Sequence, residues 1–301
     1  MEKSTPRLVF FPRRFVYNPW PMRRFGSWVG LSLLAGTIGC YYPSVTRTRT
    51  YHPSNADLSV TRIIHGSAII EFPETRILLD PWYNPAPPIG PRTPIGISLE
   101  NLPPIRGILI THSHDDHFDR QTLSNLPDKS IRVIVRRGLG KDLREMGYVD
   151  VVELEDWERS QIGSVIVTAV PARHKVPENG YVLQAGSVTL YVAGDTRFDE
   201  KMFHEIGTRF APLDAAMLPI GGIRILGRRL DMSPEEAAEA FSILKAGHVI
   251  PYHYELSGPL PFFTAASTPE VDFRAAVVER DKHLENAVVV LQPGESWHHF
   301  H

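Results

Sequence analysis

Six residues constrain this chain more than any others: His112-Ser113-His114-Asp115-Asp116-His117, directly after the apolar run Ile108-Leu109-Ile110. Imidazoles and carboxylates spaced this tightly are costly to hold together unless a cation binds them. Imidazole with carboxylate suits zinc, iron or manganese. The preceding apolar run reads as a buried strand, Arg106–Ile110, so the cluster is presented where a strand ends. A fold that keeps it must bring further ligands to the same point.

Candidates for those ligands stand at other strand ends. His174 closes Pro171-Ala172-Arg173-His174, beyond a strand ending at Val170. Asp195 follows Leu190-Tyr191-Val192-Ala193-Gly194, where glycine permits a tight turn. His253 follows Val249-Ile250-Pro251-Tyr252, and Asp80 follows Ile77-Leu78-Leu79. Loop residues just past strand ends are held by a rigid scaffold yet stay open to a substrate. The chain has one cysteine, Cys40, so a cysteine-rich zinc site and an internal disulfide are both excluded. Any metal must sit on His, Asp and Glu. A net charge of -2 gives no argument for nucleic-acid binding, and none is expected.

The charge is uneven. Up to residue 50, Lys3, Arg7, Arg13, Arg14, Arg23, Arg24, Arg47 and Arg49 face a single acid, Glu2. Within this stretch Trp28–Gly39 is apolar and ends at Cys40. It is shorter than the roughly 20 residues a spanning helix needs, and has the proportions of a signal-peptide core. Read from Met22, it resembles a bacterial lipoprotein signal, with Thr37 where an aliphatic residue is usual. The expectation is a basic leader and tether over 1–58, anchoring the protein in a bacterial cell envelope with residues 59–301 outside the cytoplasm. An uncleaved anchor, or a disordered leader on a cytoplasmic protein, is the alternative.

From about residue 59 the sequence is that of a globular α/β enzyme. Val60–Ile64, Ala68–Phe72, Arg76–Leu79, Ile131–Val135, Val149–Leu154, Ser164–Val170, Tyr181–Gln184, Val188–Val192, Ala215–Leu218, His248–Pro251 and Ala287–Leu291 read as strands. Helices are expected from the Asp119 cap to Leu126, over Leu139–Met146, about 200–209, from the Ser233 cap to about Ala246, and about 270–282. The proline- and glycine-rich residues 81–98 form a loop. His298, His299 and His301 read as a surface tail. Strands apolar enough to need cover on both sides suit two face-to-face sheets with helices outside, a four-layer αββα sandwich.

The ordered set H-x-H-x-D-H, His174, Asp195 and His253 resembles the metallo-β-lactamase fold superfamily of dinuclear hydrolases. His65-Gly66-Ser67, Leu79-Asp80-Pro81-Trp82, Glu100-Asn101-Leu102-Pro103-Pro104, Pro171-Ala172-Arg173-His174, Ala193-Gly194-Asp195-Thr196, Leu218-Pro219-Ile220-Gly221 and Pro234-Glu235-Glu236-Ala237 narrow it. They are similar to the branch containing L-ascorbate-6-phosphate lactonase and the N-acyl-phosphatidylethanolamine-hydrolysing phospholipase D. The resemblance implies two divalent ions, zinc first, with manganese or iron as alternatives. It implies one ion on His112, His114 and His174, another on Asp116, His117 and His253, and Asp195 bridging both. Ions about 3.5–4 Å apart share a solvent molecule and bring its pKa toward 7. Asp116 and Asp195 are then the catalytic carboxylates, with His65, Asp80, Thr111 and Thr196 orienting ligands through hydrogen bonds. At Gly222–Met232 the chain departs from the phospholipase pattern and places Asp231 near a position where that branch carries histidine.

For a substrate, Arg224, Arg228 and Arg229 offer a basic loop, and Phe262 and Phe263 an apolar one after His253. The expectation is a hydrolase of a phosphodiester, lactone or other ester or amide, acting on a small-molecule or lipid-like substrate. A non-catalytic, membrane-tethered binding protein on the same fold is the alternative. Redox chemistry at a di-iron site ranks lower, because no flavin or haem module is visible to feed electrons.

Overall fold

The computed structural model describes residues 48–301, so the leader and Cys40 lie outside the described residues. Among the described residues no helix is long and apolar enough to cross a membrane. Part of the expected tether lies against the domain: the Arg49 amide donates to the Gly96 carbonyl at 2.7 Å, and the Tyr51 hydroxyl bonds the Glu71 carboxylate.

Six strands come first: β1 (Leu58–Ile64), β2 (Ser67–Phe72), β3 (Thr75–Leu79), β4 (Gly107–Ile110), β5 (Arg132–Arg136) and β6 (Val151–Leu154). Then come β7 (Arg159–Ile162), β8 (Val165–Pro171), β9 (Asn179–Ala185), β10 (Val188–Val192), β11 (Ala215–Pro219), β12 (His248–Tyr252) and β13 (Ser296–His299). They form a seven-stranded sheet, β13-β1-β2-β3-β4-β5-β6, and a six-stranded one, β12-β11-β10-β9-β8-β7. In the first sheet β3 to β6 run parallel. In the second, β10, β11 and β12 do.

Side-chain alternation sorts the core into layers. Ile70, Ile77 and Leu79 of one sheet meet Tyr181, Leu183 and Leu190 of the other between the sheets. Their chain neighbours point outward. Val182, Tyr191 and Ala216 pack under α3 (Glu200–Phe210), α4 (Pro234–Leu244) and α5 (Pro269–Arg280). Leu78, Ile108 and Ile110 pack under α1 (Arg120–Asn125) and α2 (Gly140–Glu145) with the loops. Away from the β7 edge both sheets are buried on both faces, and the four-layer αββα sandwich is the architecture found.

The caps behave as the sequence suggests. Asp119 accepts from the amides of Gln121 and Thr122 at 3.0 Å each, opening α1. Its other oxygen accepts from the amides of Tyr83 and Asn84, fastening loop 81–98 to the same helix. Ser233 and Glu236 form a reciprocal capping box on α4.

Two expectations are corrected. Ala287–Leu291 is not a strand: a 3₁₀ turn covers Lys282–Ala287, and only an isolated bridge joins Val288 to Val249. The run is apolar because Val288 and Leu291 fill the core, and Pro293-Gly294 then turns the chain. The final strand is β13, so His298 and His299 are not a loose tail: they pair with Ser59 and Leu58. Strand β7 has no counterpart among the expected strands: it is a polar edge strand whose Arg-Ser-Gln sequence shows no apolar alternation.

Candidate metal centre

The site forms where strands of both sheets end. His65 is the first residue past β1, Asp80 past β3 and His253 past β12, and all three have positive φ, 47°, 40° and 57°. A left-handed residue at a strand end turns its side chain sharply off the strand direction. For non-glycine residues this costs about 1–3 kcal/mol and clusters at functional sites. Gly66 and Gly194 make room beside them. A Cβ at Gly66 would stand 2.9 Å from Cε1 of His117, and one at Gly194, where φ is 70°, 2.5 Å from Oε1 of Glu178.

Two donor sets result. His112, His114, His174 and Asp195 offer ligand atoms within 4.8 Å of one another, and so do His65, Asp116, His117 and His253. Asp195 faces both. Its Oδ1 lies 3.2 Å from Nε2 of His117. Its Oδ2 lies 2.9 Å from Nε2 of His253 and 3.7 Å from Nε2 of His112.

The outer nitrogens of the imidazoles decide what the inner ones can be. His117 Nδ1 donates to Asp80 Oδ2 at 2.7 Å, and His253 Nδ1 to Asp231 Oδ2 at 3.0 Å. His112 Nδ1 lies 3.1 Å from Glu178 Oε1. His174 Nδ1 faces the carbonyls of Asp195 and Leu230 at 3.1 and 3.0 Å, which can only accept. In their neutral form, four rings are thereby held in the tautomer that aims an Nε2 lone pair inward. Those nitrogens converge. His112 Nε2 and His174 Nε2 lie 3.0 and 3.2 Å from Nδ1 of His114. His117 Nε2, His253 Nε2 and Asp195 Oδ1 are buried without a hydrogen-bond partner. A divalent cation would satisfy these unpartnered atoms, and the nitrogen separations match the roughly 3.3 Å edge of a tetrahedron with metal–nitrogen bonds of about 2.0–2.1 Å. The residues fit two such ions.

Electrostatics point the same way. Burial pushes the imidazoles of His112 and His114 down to about 4, so both stay neutral. Burial and then the His253 charge push His65 down to about 3. Burial acts likewise on His117 and His253, but the surrounding carboxylates, Asp195 foremost, outweigh it and hold both well above the usual range. Asp116 and Asp195 are held well below theirs, mainly by His117, against the effect of burial. The cluster demands positive charge, which protons on two imidazoles supply when no metal does.

Each expected site residue can now be placed. His112, His114, His117, His174, His253, Asp116 and Asp195 converge. His65 joins the Asp116 set as a potential ligand: its ring lies against that of His253, centroids 3.8 Å apart and tilted by 40°, and Nε2 is 3.5 Å from Asp116 Oδ2. Thr111 donates its amide and hydroxyl to Asp80, each at 2.8 Å. Thr196 lies farther out, where its hydroxyl accepts from the Arg173 amide and so shapes the His174 loop. Glu178 and Asp231 were missed as orienting residues. Asp231 is wholly buried and bonds the Ile223 amide; burial pushes its carboxyl up to about 6. Burial pushes Glu178 up to about 8. An acid at the mouth of an apolar strand, four residues after a candidate ligand, is the signal that could have exposed Glu178.

Above the cluster opens a cavity of about 970 Å³. Asp116, Asp195, His114 and His253 reach its floor, Trp82, Ile89, Ile223 and Phe263 give apolar wall, and Arg120, Lys175 and Arg228 bring positive charge. Of the expected substrate residues, Arg228 and Phe263 line it. Arg224 bonds the Gly227 carbonyl, Arg229 pairs with Glu236, and Phe262 is 57% exposed outside the lining.

An αββα sandwich with two adjoining His/Asp donor sets at its strand ends defines a class of metalloprotein. The model of the beta-lactamase superfamily domain matches residues 75–254, and the chain belongs to that superfamily. It is 32% identical over 251 residues to the UPF0173 metal-dependent hydrolase of Pyrococcus furiosus, covering 79% of this chain and 98% of that protein. Igni18, a metallo hydrolase of Ignicoccus hospitalis, shares the fold with TM-score 0.63 and 22% identity, over 80% of this chain and 97% of Igni18. So does CmlA, a diiron beta-hydroxylase of Streptomyces venezuelae, with TM-score 0.66 and 21% identity, over 82% of this chain and 55% of CmlA.

Proposed function

We propose that the protein is a hydrolase with two divalent metal ions, zinc by donor chemistry, held by His112, His114 and His174 and by Asp116, His117 and His253, with Asp195 between them. The observation that carries this reading is Asp195, whose two oxygens face inward-aimed imidazoles of both sets. When bound, such ions supply an acidified shared water as nucleophile and positive charge against an anionic transition state.

The chain's own residues do the rest. Asp80, Glu178, Asp231 and the carbonyls beside His174 keep the ligand nitrogens unprotonated toward the centre. Asp116 lines the cavity with part of its carboxylate exposed, where it can accept a proton from the attacking water. Lys175, Arg120 and Arg228 hold an anionic group of the substrate, and the Trp82, Ile223 and Phe263 wall holds its apolar part and keeps bulk water out. A phosphodiester, lactone, or other ester or amide with one charged end and one apolar end suits this cavity. The basic leader and the apolar run ending at Cys40 support a tether that keeps this cavity near a membrane. Fatty-acid labelling in cells, lost in Cys40→Ser, tests the tether.

The catalytic test uses the full chain loaded with zinc, manganese or iron against phosphodiester, lactone and anilide panels. Turnover that disappears in Asp195→Ala supports the reading. A folded, fully loaded chain inert on every panel overturns it in favour of a binding protein.

A further inference from the structure

A second group of metal-type donors lies far from the cavity, at the edge where the two sheets adjoin. On β13 side chains alternate, so Trp297 and His299 share a face, and His301 continues the same spacing just beyond the strand. That face meets Asp214, in the turn before β11, and His248, which opens β12. Asp214, His299 and His301 each present a ligand atom, all within 4.8 Å of one another. His299 Nε2 stands 3.4 Å from Asp214 Oδ1. That nitrogen is shut off from solvent and has no hydrogen-bond partner.

The donors are held in place before any ligand arrives. Asp214 Oδ2 accepts from the Thr189 amide at 2.7 Å, which fixes the carboxylate and leaves Oδ1 free. The Asp214 carbonyl accepts from the His248 amide at 2.9 Å. The His299 ring stacks on Trp297 with centroids 5.7 Å apart. The His301 amide donates to Asp57 at 2.9 Å, which steadies the backbone beside its exposed ring. Two imidazoles and one carboxylate, with an outer side open to water, match the donor number and type of a three-residue zinc site. The central cluster does not include these residues: His248 and His253 stand at opposite ends of β12, about 16 Å apart at strand rise.

We propose that Asp214, His299 and His301 bind a third divalent cation, zinc by ligand type, which fastens β13 of the seven-stranded sheet to the Asp214 turn of the six-stranded sheet. Its role is structural, because it lies outside the cavity and bridges segments of distant sequence. Its binding energy adds to folding energy.

The test is made on the full chain without a histidine tag, carrying His114→Ala, His117→Ala, Asp195→Ala and His253→Ala, which leaves no more than two donors in either set of the central cluster. Zinc alone is the probe, read by equilibrium dialysis and by thermal melting. One ion per chain and a zinc-dependent rise in Tm are expected, both lost on adding His301→Ala and both weakened by adding Asp214→Asn. His301 lies beyond the last strand, and the Asp214→Asn side chain keeps an acceptor for Thr189, so both versions should fold. Zinc retention and melting that match between the background chain and its His301→Ala version overturn the proposal. In the otherwise unaltered chain, His301→Ala should leave hydrolysis unchanged while lowering Tm in zinc; a loss of hydrolysis at unchanged Tm also overturns it.

Discussion

Asp80→Asn separates orientation of a ligand from mere packing. Asp80 accepts three hydrogen bonds, from the Thr111 amide, the Thr111 hydroxyl and His117 Nδ1. The side-chain amide introduced by this substitution must keep its oxygen toward the Thr111 N–H, since turning it would set two donors face to face. Its NH2 group then points at His117 Nδ1. The imidazole can accept that bond only by moving its proton to Nε2, the atom that faces Asp195 and the metal position. A protonated Nε2 is no ligand. Loss of a hydrogen bond to a charged group is worth about 1.5–3 kcal/mol, which agrees with the roughly 10–100-fold fall in metal affinity seen when such partners are removed. The assay is competition for zinc against a fluorescent chelator. One ion should weaken by that factor while the ion on His112, His114 and His174 holds more firmly. Asp80→Ala is the control: it imposes no tautomer but orphans the Thr111 amide, so it should cost stability more than affinity. An Asp80→Asn chain that binds both ions as tightly as the unaltered protein refutes the tautomer reasoning.

Gly66→Ala places a methyl 2.9 Å from the His117 ring, which Asp80 prevents from retreating. A displacement of about 0.6 Å or more follows from ordinary contact distances. Turnover should fall by about tenfold or more while Tm changes little, as kinetics and melting will show. Asp119→Ala removes a helix cap and the acceptor for two loop amides, costing about 2–3 kcal/mol by denaturant unfolding. Burial pushes the Asp119 carboxyl up, but bonds from Thr122, Asn84 and Tyr83 outweigh it and hold it below its usual value. The gap between variant and unaltered protein is therefore complete above the unfolded value of about 3.9 and closes as pH falls through the lower folded one. Arg228→Ala should raise KM for anionic substrates by about tenfold with little change for neutral ones. Chelation should abolish turnover and lower Tm, with recovery on adding zinc.

The candidate ligand set was legible because its members stand within a few residues of the end of a hydrophobic run, and strand ends are where such folds put chemistry. The same logic made the two-sheet architecture readable. The orienting carboxylates were harder. Asp231 and Glu178 reach their imidazoles across 22 and 66 residues of chain, and no spacing rule governs a hydrogen bond made only in the tertiary structure. Strand β13 was hidden because an edge strand of Ser, Trp and His carries no apolar alternation. Ala287–Leu291 misled for the opposite reason: burial alone makes a run apolar, whether or not it pairs.

In the proposed dinuclear arrangement Asp195 would serve both donor sets, so the two could not fill independently. Two like-charged ions about 3.5–4 Å apart repel, while an Asp195 already oriented by the first ion favours the second. The balance of these effects is a coupling free energy that acts equally in both directions. When metal is scarce, that coupling sets whether chains hold one ion each or divide into empty and fully loaded forms. Catalytic output as metal supply varies then becomes graded in the first case and switch-like in the second.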